Sequence, residues 1–265
     1  MIDYSFKRFL LLFRVIMFNK DVIKCGSEDI IIWHKNKSEN DTLFFDQLDG
    51  SCYICNRQYT LFNDLNIDLK VIISKFSKTI RNEVHRAEKV NIKQFIIDSY
   101  DQENELFYIK MEKVYEKMFK EKGQRRKLNL SLIRSGLKNK NIIITVAKNE
   151  DDDILVYHVY LHDKKNVLLL YSTSYSNRDK DKAKTIGWAN KFLHYKDIEY
   201  FKFKKYTNYE WGGIKNPEQP NGIDKFKMGF GGEIVSFDNV IVANSIKGKI
   251  YIKLLKLAKA IKLWH

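Results

Sequence analysis

The chain has 265 residues, 44% of them hydrophobic and 30% charged, and carries a formal net charge of +14. That balance excludes a disordered or fibrous chain and suits one large domain or two modest ones with a sizeable core. Three cysteines, Cys25, Cys52 and Cys55, are too few and odd in number for a disulfide scaffold and point to a reducing compartment.

The first apolar run, Phe9 to Phe18, is broken by Arg14 and too short to span a bilayer. With no small-residue cleavage site after it, it reads as a packed or surface helix of a cytoplasmic protein. Ile30 to Trp33, Leu43 to Phe45 and Ser51 to Phe62 read as strands, rich in β-branched and aromatic residues. Cys52 and Cys55 have the spacing of half a zinc site. Without a second pair to complete it, buried thiols are expected and no metal. From Ile67 to Arg86, Leu69, Ile72, Ile73, Phe76, Ile80 and Val84 recur at helical spacing, with Asp68 as a cap. Asn104 to Lys120 gives a second helix, with Leu106, Ile109, Val114, Met118 and Phe119 along one side. Leu130 to Leu137 gives a short third.

Beyond Asn141 the pattern turns to strands. Ile142 to Ala147, Ile154 to Leu161 and Val167 to Thr173 form a meander with tight polar turns. The acidic run Asp151 to Asp153 is one of those turns, solvated rather than metal-binding. A helix over about Ala183 to Lys196 follows, then a strand near Tyr200 to Phe203 or Tyr206 to Glu210. A short helix at Asp224 to Met228, a strand at Ile234 to Ala243 and a basic amphipathic helix at Lys249 to Trp264 complete the chain. That last helix either covers the sheet with its lysines outward or makes peripheral contact with an anionic membrane. The predicted class is α/β (α+β), a mixed sheet with flanking helices. A boundary near residue 125 divides 1–125 from 126–265.

The charge favours an anionic partner: nucleic acid, acidic lipid or a phosphorylated small molecule. Much of the lysine also reads as solvated surface. A local anion site is predicted at Lys184-Thr-Ile-Gly187-Trp-Ala189, where a helix opens after a strand. Helix-start N–H groups lack partners, and glycine allows close approach of a phosphate. Asn177, Arg178, Lys180, Lys182 and Lys184 add donors; the other reading is a solvated lysine-rich loop. His158, mid-strand, and Glu210, before two glycines, are candidate bases. A half-buried sheet histidine and a structural carboxylate are the competing readings. Tyr171 and Ser174 lie where the strand before that helix ends.

These stretches resemble a known superfamily. Lys184-x-x-Gly187-x-Ala189 resembles the Gln/Arg-x-x-Gly-x-Gly/Ala turn on which GNAT acetyltransferases hold the pyrophosphate of coenzyme A, with Lys in the first place. Tyr209-Glu-Trp-Gly-Gly-Ile214, Asn221-Gly-Ile-Asp-Lys-Phe-Lys227 and Gly229-Phe-Gly-Gly232 resemble the aromatic, Gly-Gly and Phe-Lys series of the FemAB-like peptidyltransferases, with Glu210 where Asp is usual. Phe76 to Lys89 is similar to the Lys-x-x-Arg-x-x-Ile-x-x-Ala helix of the same family. The motifs span most of residues 67–240.

The resemblance implies a complete GNAT-like acyltransferase domain at 126–265 and a reduced one at 1–125. It implies an N-acyltransferase that moves a short acyl group from acyl-coenzyme A to the amine of a dTDP- or UDP-linked amino-deoxy sugar for surface polysaccharide. Glu210, His158 and Tyr171 would then be catalytic. Ser174, Asn177, Arg178, Lys182, Lys184, Gly187, Ala189 and Asn190 would hold coenzyme A. Lys78, Arg81, Arg86, Trp211, Gly212, Gly213 and Lys227 would hold the acceptor. Two alternatives stay open: an aminoacyl-tRNA-dependent transferase acting on a peptidoglycan precursor, and a non-catalytic basic module that binds nucleic acid or a membrane surface.

Overall fold

The computed structural model describes residues 2–8, 11–17, 27–36, 53–163, 165–175 and 179–260. Cys25, the Leu43 to Phe45 strand, Cys52, Asn177 and Arg178 lie outside the described residues. The fold has two compact units. One comprises Met1–Thr60, Gly213–Pro217 and Ile234–His265; the other comprises Leu61–Gly212 and Glu218–Glu233. Residue 125 does not separate them, since the chain on both sides of it lies in the second unit.

In the second unit the meander forms as its patterning predicts. Strands β6 (Ile142–Lys148), β7 (Ile154–His162) and β8 (Asn166–Ser174) pair antiparallel. Sequence periodicity gives no sign of β5 (Lys93–Ile97), which adds antiparallel to β6 at the sheet edge. On the other side, β8 pairs in parallel with β9 (Asn208–Ile214), whose other neighbour is β4 (Tyr53–Asp64). Ile142 to Ala147 and Val156 to Leu161 are buried without interruption. Both faces are therefore covered, which is why these strands read as continuous apolar runs.

One face carries α1 (Leu69–Ser74), α2 (Lys78–Lys89) and the 24-residue α5 (Lys180–Phe203), with α2 packed on α5. The single helix expected over Ile67 to Arg86 is thus two. Ser77 caps the second by accepting from the Ile80 N–H, and the first keeps its expected Asp68 cap. α5 begins earlier and ends later than expected, and it absorbs Tyr200 to Phe203. The opposite face carries α3 (Glu105–Glu121) and α4 (Leu130–Lys138). α3 buries Tyr108, Met111 and Tyr115, not the side expected, and Leu106 points outward. Along β7 the pleat sends Tyr157 to α3, where its hydroxyl donates to the Met111 carbonyl, and sends His158 and Tyr160 to α5.

In the first unit, Phe9 to Phe18 is not a helix. Its described residues, Leu11–Met17, form strand β2, which pairs antiparallel with β1 (Ile2–Arg8); Phe9, Leu10 and Phe18 lie outside the described residues. β2 runs parallel to β3 (Ile30–Asn36), which pairs antiparallel with β10 (Glu233–Ala243), itself beside β4. Cys55 on β4 is exposed and not a buried thiol, because the alternation of the strand turns Ile54 inward instead. Helix α7 (Ile246–Ala260) packs Ile252 and Leu255 on Leu11, Ile30, Ile54 and Ala243. It approaches so closely that a Cβ on Gly248 would stand 2.1 Å from the Asp29 carbonyl oxygen. No helix among the described residues is long and apolar enough to cross a membrane.

Candidate active site

Two parallel strands that part at their carboxyl ends leave a crevice, the usual place for a ligand in a sheet of this kind. Here β8 and β9 stay in register only from Asn166↔Asn208 through Leu168↔Glu210. Just beyond, β8 bulges: Val159 of β7 faces Tyr171, the next residue Tyr160 faces Leu169, and Leu170 is left over. On β9, Gly212 takes φ +71°, and a Cβ there would lie 3.1 Å from the Leu169 carbonyl oxygen. Only glycine turns the strand at that point without strain. The bulge and the glycine thus shape the same opening, and β8 carries Tyr171 and Ser174 on past the bulge.

The motif residues come together beside this opening. Trp211 Nε1 donates to Asn63 Oδ1 at 2.5 Å, and Asn63 Nδ2 donates to the Phe230 carbonyl at 3.2 Å. The Ser77 N–H donates to the Gly229 carbonyl at 2.7 Å, and Phe76 meets Phe230 edge-on at 5.1 Å. Gly232, at φ +98°, passes the chain so close that a Cβ would sit 2.4 Å from the Phe62 carbonyl oxygen. The Phe76–Lys89, Trp-Gly-Gly and Phe-Gly-Gly stretches are therefore one packed body. Helix α6 (Gly222–Met228), held by a capping box between Asn221 and Asp224, presents Lys227 to it. Burial lowers the Lys227 ammonium below its ordinary range, against the opposing pull of the Asp224 and Glu210 carboxylates. Both carboxylates are themselves buried.

Behind β9 lies a polar network in which His158, Tyr160, His194, Asp197 and Tyr209 are all buried. His158 and Tyr160 of β7 both reach Asp197 of α5: His158 Nδ1 lies 2.7 Å and the Tyr160 hydroxyl 2.5 Å from its Oδ2. Gln94 donates to the other oxygen at 2.7 Å. The Tyr209 hydroxyl lies 2.8 Å from that of Tyr160 and 3.1 Å from His194 Nδ1. Proton order follows from the acceptor at the end. Tyr160 donates to Asp197, so Tyr209 donates to Tyr160, and His194 donates from Nδ1 to Tyr209. Burial holds His194 well below its ordinary value, aided by the nearby charges of His158, Lys227 and Lys191, which agrees with a neutral ring. Burial, then the Asp197 charge, hold both tyrosine hydroxyls far above theirs.

His158, His194 and Asp197 bring their ligand atoms within 4.8 Å of one another. The 2.7 Å between His158 and Asp197 is a hydrogen bond, shorter than the roughly 3.3 Å that separates two ligands around a tetrahedral zinc. The imidazoles also stack at 4.0 Å. The trio therefore fits a hydrogen-bonded core rather than an ion site.

Several expected roles change in this light. His158 is wholly buried between Asp197 and Asn190, whose Oδ1 lies 3.0 Å from its Nε2, so it cannot meet a substrate as a base. The Asn190 side chain, half-buried, is the His158 partner on that side. Trp211 is a core residue, 1% exposed, and offers no face to a base or sugar. Gly187 and Ala189 lie two turns inside α5, where their N–H groups belong to the helix. The true helix start is capped by Asp179, whose carboxylate accepts from the Asp181 and Lys182 N–H groups at 2.9 and 3.2 Å. Lys182 and Lys184 are exposed, and Lys184 pairs with Asp181 at 3.0 Å.

On α2, Lys78, Arg81 and Arg86 face solvent. The Arg81 guanidinium turns back to the Ser74 and Phe76 carbonyls, and Arg86 stands over the Trp188 ring. Tyr171 packs edge-on against Tyr115 at 5.4 Å, and burial raises its hydroxyl above the usual range. Sequence reasoning did not single out Asp197, His194, Tyr160 or Asn63, whose partners lie far along the chain.

No protein-family model and no curated protein sequence match the chain. Solved structures do. The C-terminal domain of a protein assigned as a lysylphosphatidylglycerol synthetase from Agrobacterium fabrum aligns over 86% of this chain and 72% of its own, with a TM-score of 0.57 at 11% identity. The lysylphosphatidylglycerol synthetase structure from Bacillus licheniformis aligns over 84% and 71%, with a TM-score of 0.53 at 12% identity. FemX aligns over 80% and 72%, with a TM-score of 0.58 at 13% identity. With its mixed sheet, flanking helices and parted strands, this chain has the GNAT-like fold in the form that FemX and these synthetase domains share.

Proposed function

We propose that the chain is an aminoacyltransferase that takes its acyl group from aminoacyl-tRNA and passes it to an amine of a peptidoglycan precursor. The observation that carries this reading is the Asp179 carboxylate on the first N–H groups of α5. A coenzyme A diphosphate held in the expected way would need those groups, and a carboxylate in place repels it. The FemAB-like motifs packed around Asn63, the likeness in fold to FemX and the net charge of +14 support a tRNA donor over acyl-coenzyme A.

In the transfer, the acceptor nitrogen attacks the ester carbonyl of the aminoacyl-tRNA. The amide bond forms, the ester C–O bond breaks, and the ribose hydroxyl leaves with a proton. Glu210, at the parting of β8 and β9, takes the proton from the amine, and Lys227 sets a partly desolvated cation against the developing oxyanion. The test is transfer of labelled amino acid from a charged tRNA pool to precursor, with and without ribonuclease. Transfer abolished by ribonuclease is expected, and Glu210→Gln or Lys227→Met lowers it roughly 10²–10⁴-fold. Ribonuclease-insensitive transfer from acyl-coenzyme A to a nucleotide-linked amino sugar, with release of free thiol, overturns the proposal.

A further inference from the structure

Helix α7 is apolar on two sides. Gly248, Ile252 and Leu255 face the core of its unit, while Ile246, Ile250, Leu254 and Leu257 are 79, 55, 61 and 60% exposed. At about 100° per residue those four fall within a stripe roughly 80° wide, on the side away from the core. Lys247 borders one edge, and Lys249 and Lys253 border the other; all three are exposed. From Asn239 to His265 the sequence holds no acidic residue and six lysines. A stripe of this size on an ordinary surface helix is a cost with no return. A second copy of the chain is a poor cover for it, because a twofold contact would set lysine rows against lysine rows.

We propose that the outer face of α7 lies flat on an anionic membrane, with the Ile246–Leu257 stripe among the acyl chains and the flanking lysines at the lipid phosphates. The apolar stripe supplies insertion and the lysines supply the preference for negative headgroups. The proposal is independent of the donor and acceptor of the acyl group.

The test is co-sedimentation of the full chain with vesicles of phosphatidylglycerol and phosphatidylcholine in equal parts, and with vesicles of phosphatidylcholine alone. Binding to the first at least tenfold tighter than to the second is expected, weakened by salt. Ile250→Ser with Leu254→Ser lowers the partition by roughly tenfold or more and leaves the melting temperature unchanged, since neither side chain is in the core. Lys249→Gln with Lys253→Gln reduces the preference for phosphatidylglycerol and leaves the weak binding to neutral vesicles. Equal binding to both vesicle types, no binding to either, or full binding by the serine variant overturns the proposal. So does a concentration-dependent dimer in sedimentation velocity that the serine variant abolishes.

Discussion

Helices α5 and α7 each pack on a sheet, in different units, and they spend their side chains in opposite ways. α5 turns polar groups inward. His194 and Asp197 are buried along with Ile186, Ala189, Phe192 and Phe201, and both have hydrogen-bond partners on the strands. α7 turns apolar groups outward, beyond what its packing uses. A satisfied buried polar cluster fixes register and orientation, because any slip leaves donors without acceptors. The inner face of α5 thereby pins Tyr209, and with it the neighbouring Glu210. Surplus apolar surface contributes nothing to that kind of placement and points to something outside the chain.

The largest effect is expected at Asp197. Asp197→Ala strands His158, Tyr160 and Gln94 without their shared acceptor, and a loss of roughly 3–5 kcal/mol in denaturant unfolding is expected. On α7 the sensitive point is backbone contact. Gly248→Ala forces a Cβ against the Asp29 carbonyl, which costs about 1–3 kcal/mol by the same measurement.

Acid probes the polar side alone. Burial lowers His194 and His162 below their ordinary value of 6.5, so the unfolded chain takes up these protons at a higher pH than the native one. Their contribution is intact above 6.5 and is lost as pH falls through 6.5 toward the native values. Melting temperatures measured down through this window should fall, and His194→Gln should flatten the fall. The smallest effect runs the other way. Gly187→Ala meets no atom within 4 Å inside α5 and is expected to stabilise by roughly 0.5–1 kcal/mol while leaving transfer intact. A loss of transfer in that variant would instead favour a phosphate grip at this glycine.

The sequence was legible wherever burial was one-sided or complete over a long run. The β6–β8 meander, α3, α4, β10 and the terminal helix stand close to where periodicity puts them. It misled at Phe9 to Phe18, because a short apolar run fits a buried helix and a buried strand equally. The start of α5 was missed because Lys180 to Lys184 are all exposed and leave no apolar period to read. β5 was missed because it is short and half-exposed at the sheet edge. At the site, the motif stretches could be found and their convergence could not. Asn63 lies 148 residues from Trp211 and 167 from Phe230, and His158 lies 39 from Asp197. The Asp179 cap leaves no sequence signal of its own, because Asp181 lies two residues on and only the folded helix start decides which carboxylate reaches the N–H groups.

The shared acceptor at Asp197 also leaves an optical signature. Tyr160 and Tyr209, two of fifteen tyrosines, are held in their protonated form by burial and by the carboxylate at the end of their hydrogen-bond chain. In alkali the native protein should therefore develop less phenolate absorbance than the urea-unfolded chain at the same pH. The missing increment should appear only as the fold gives way, so the two spectra count the phenols the core refuses to ionise.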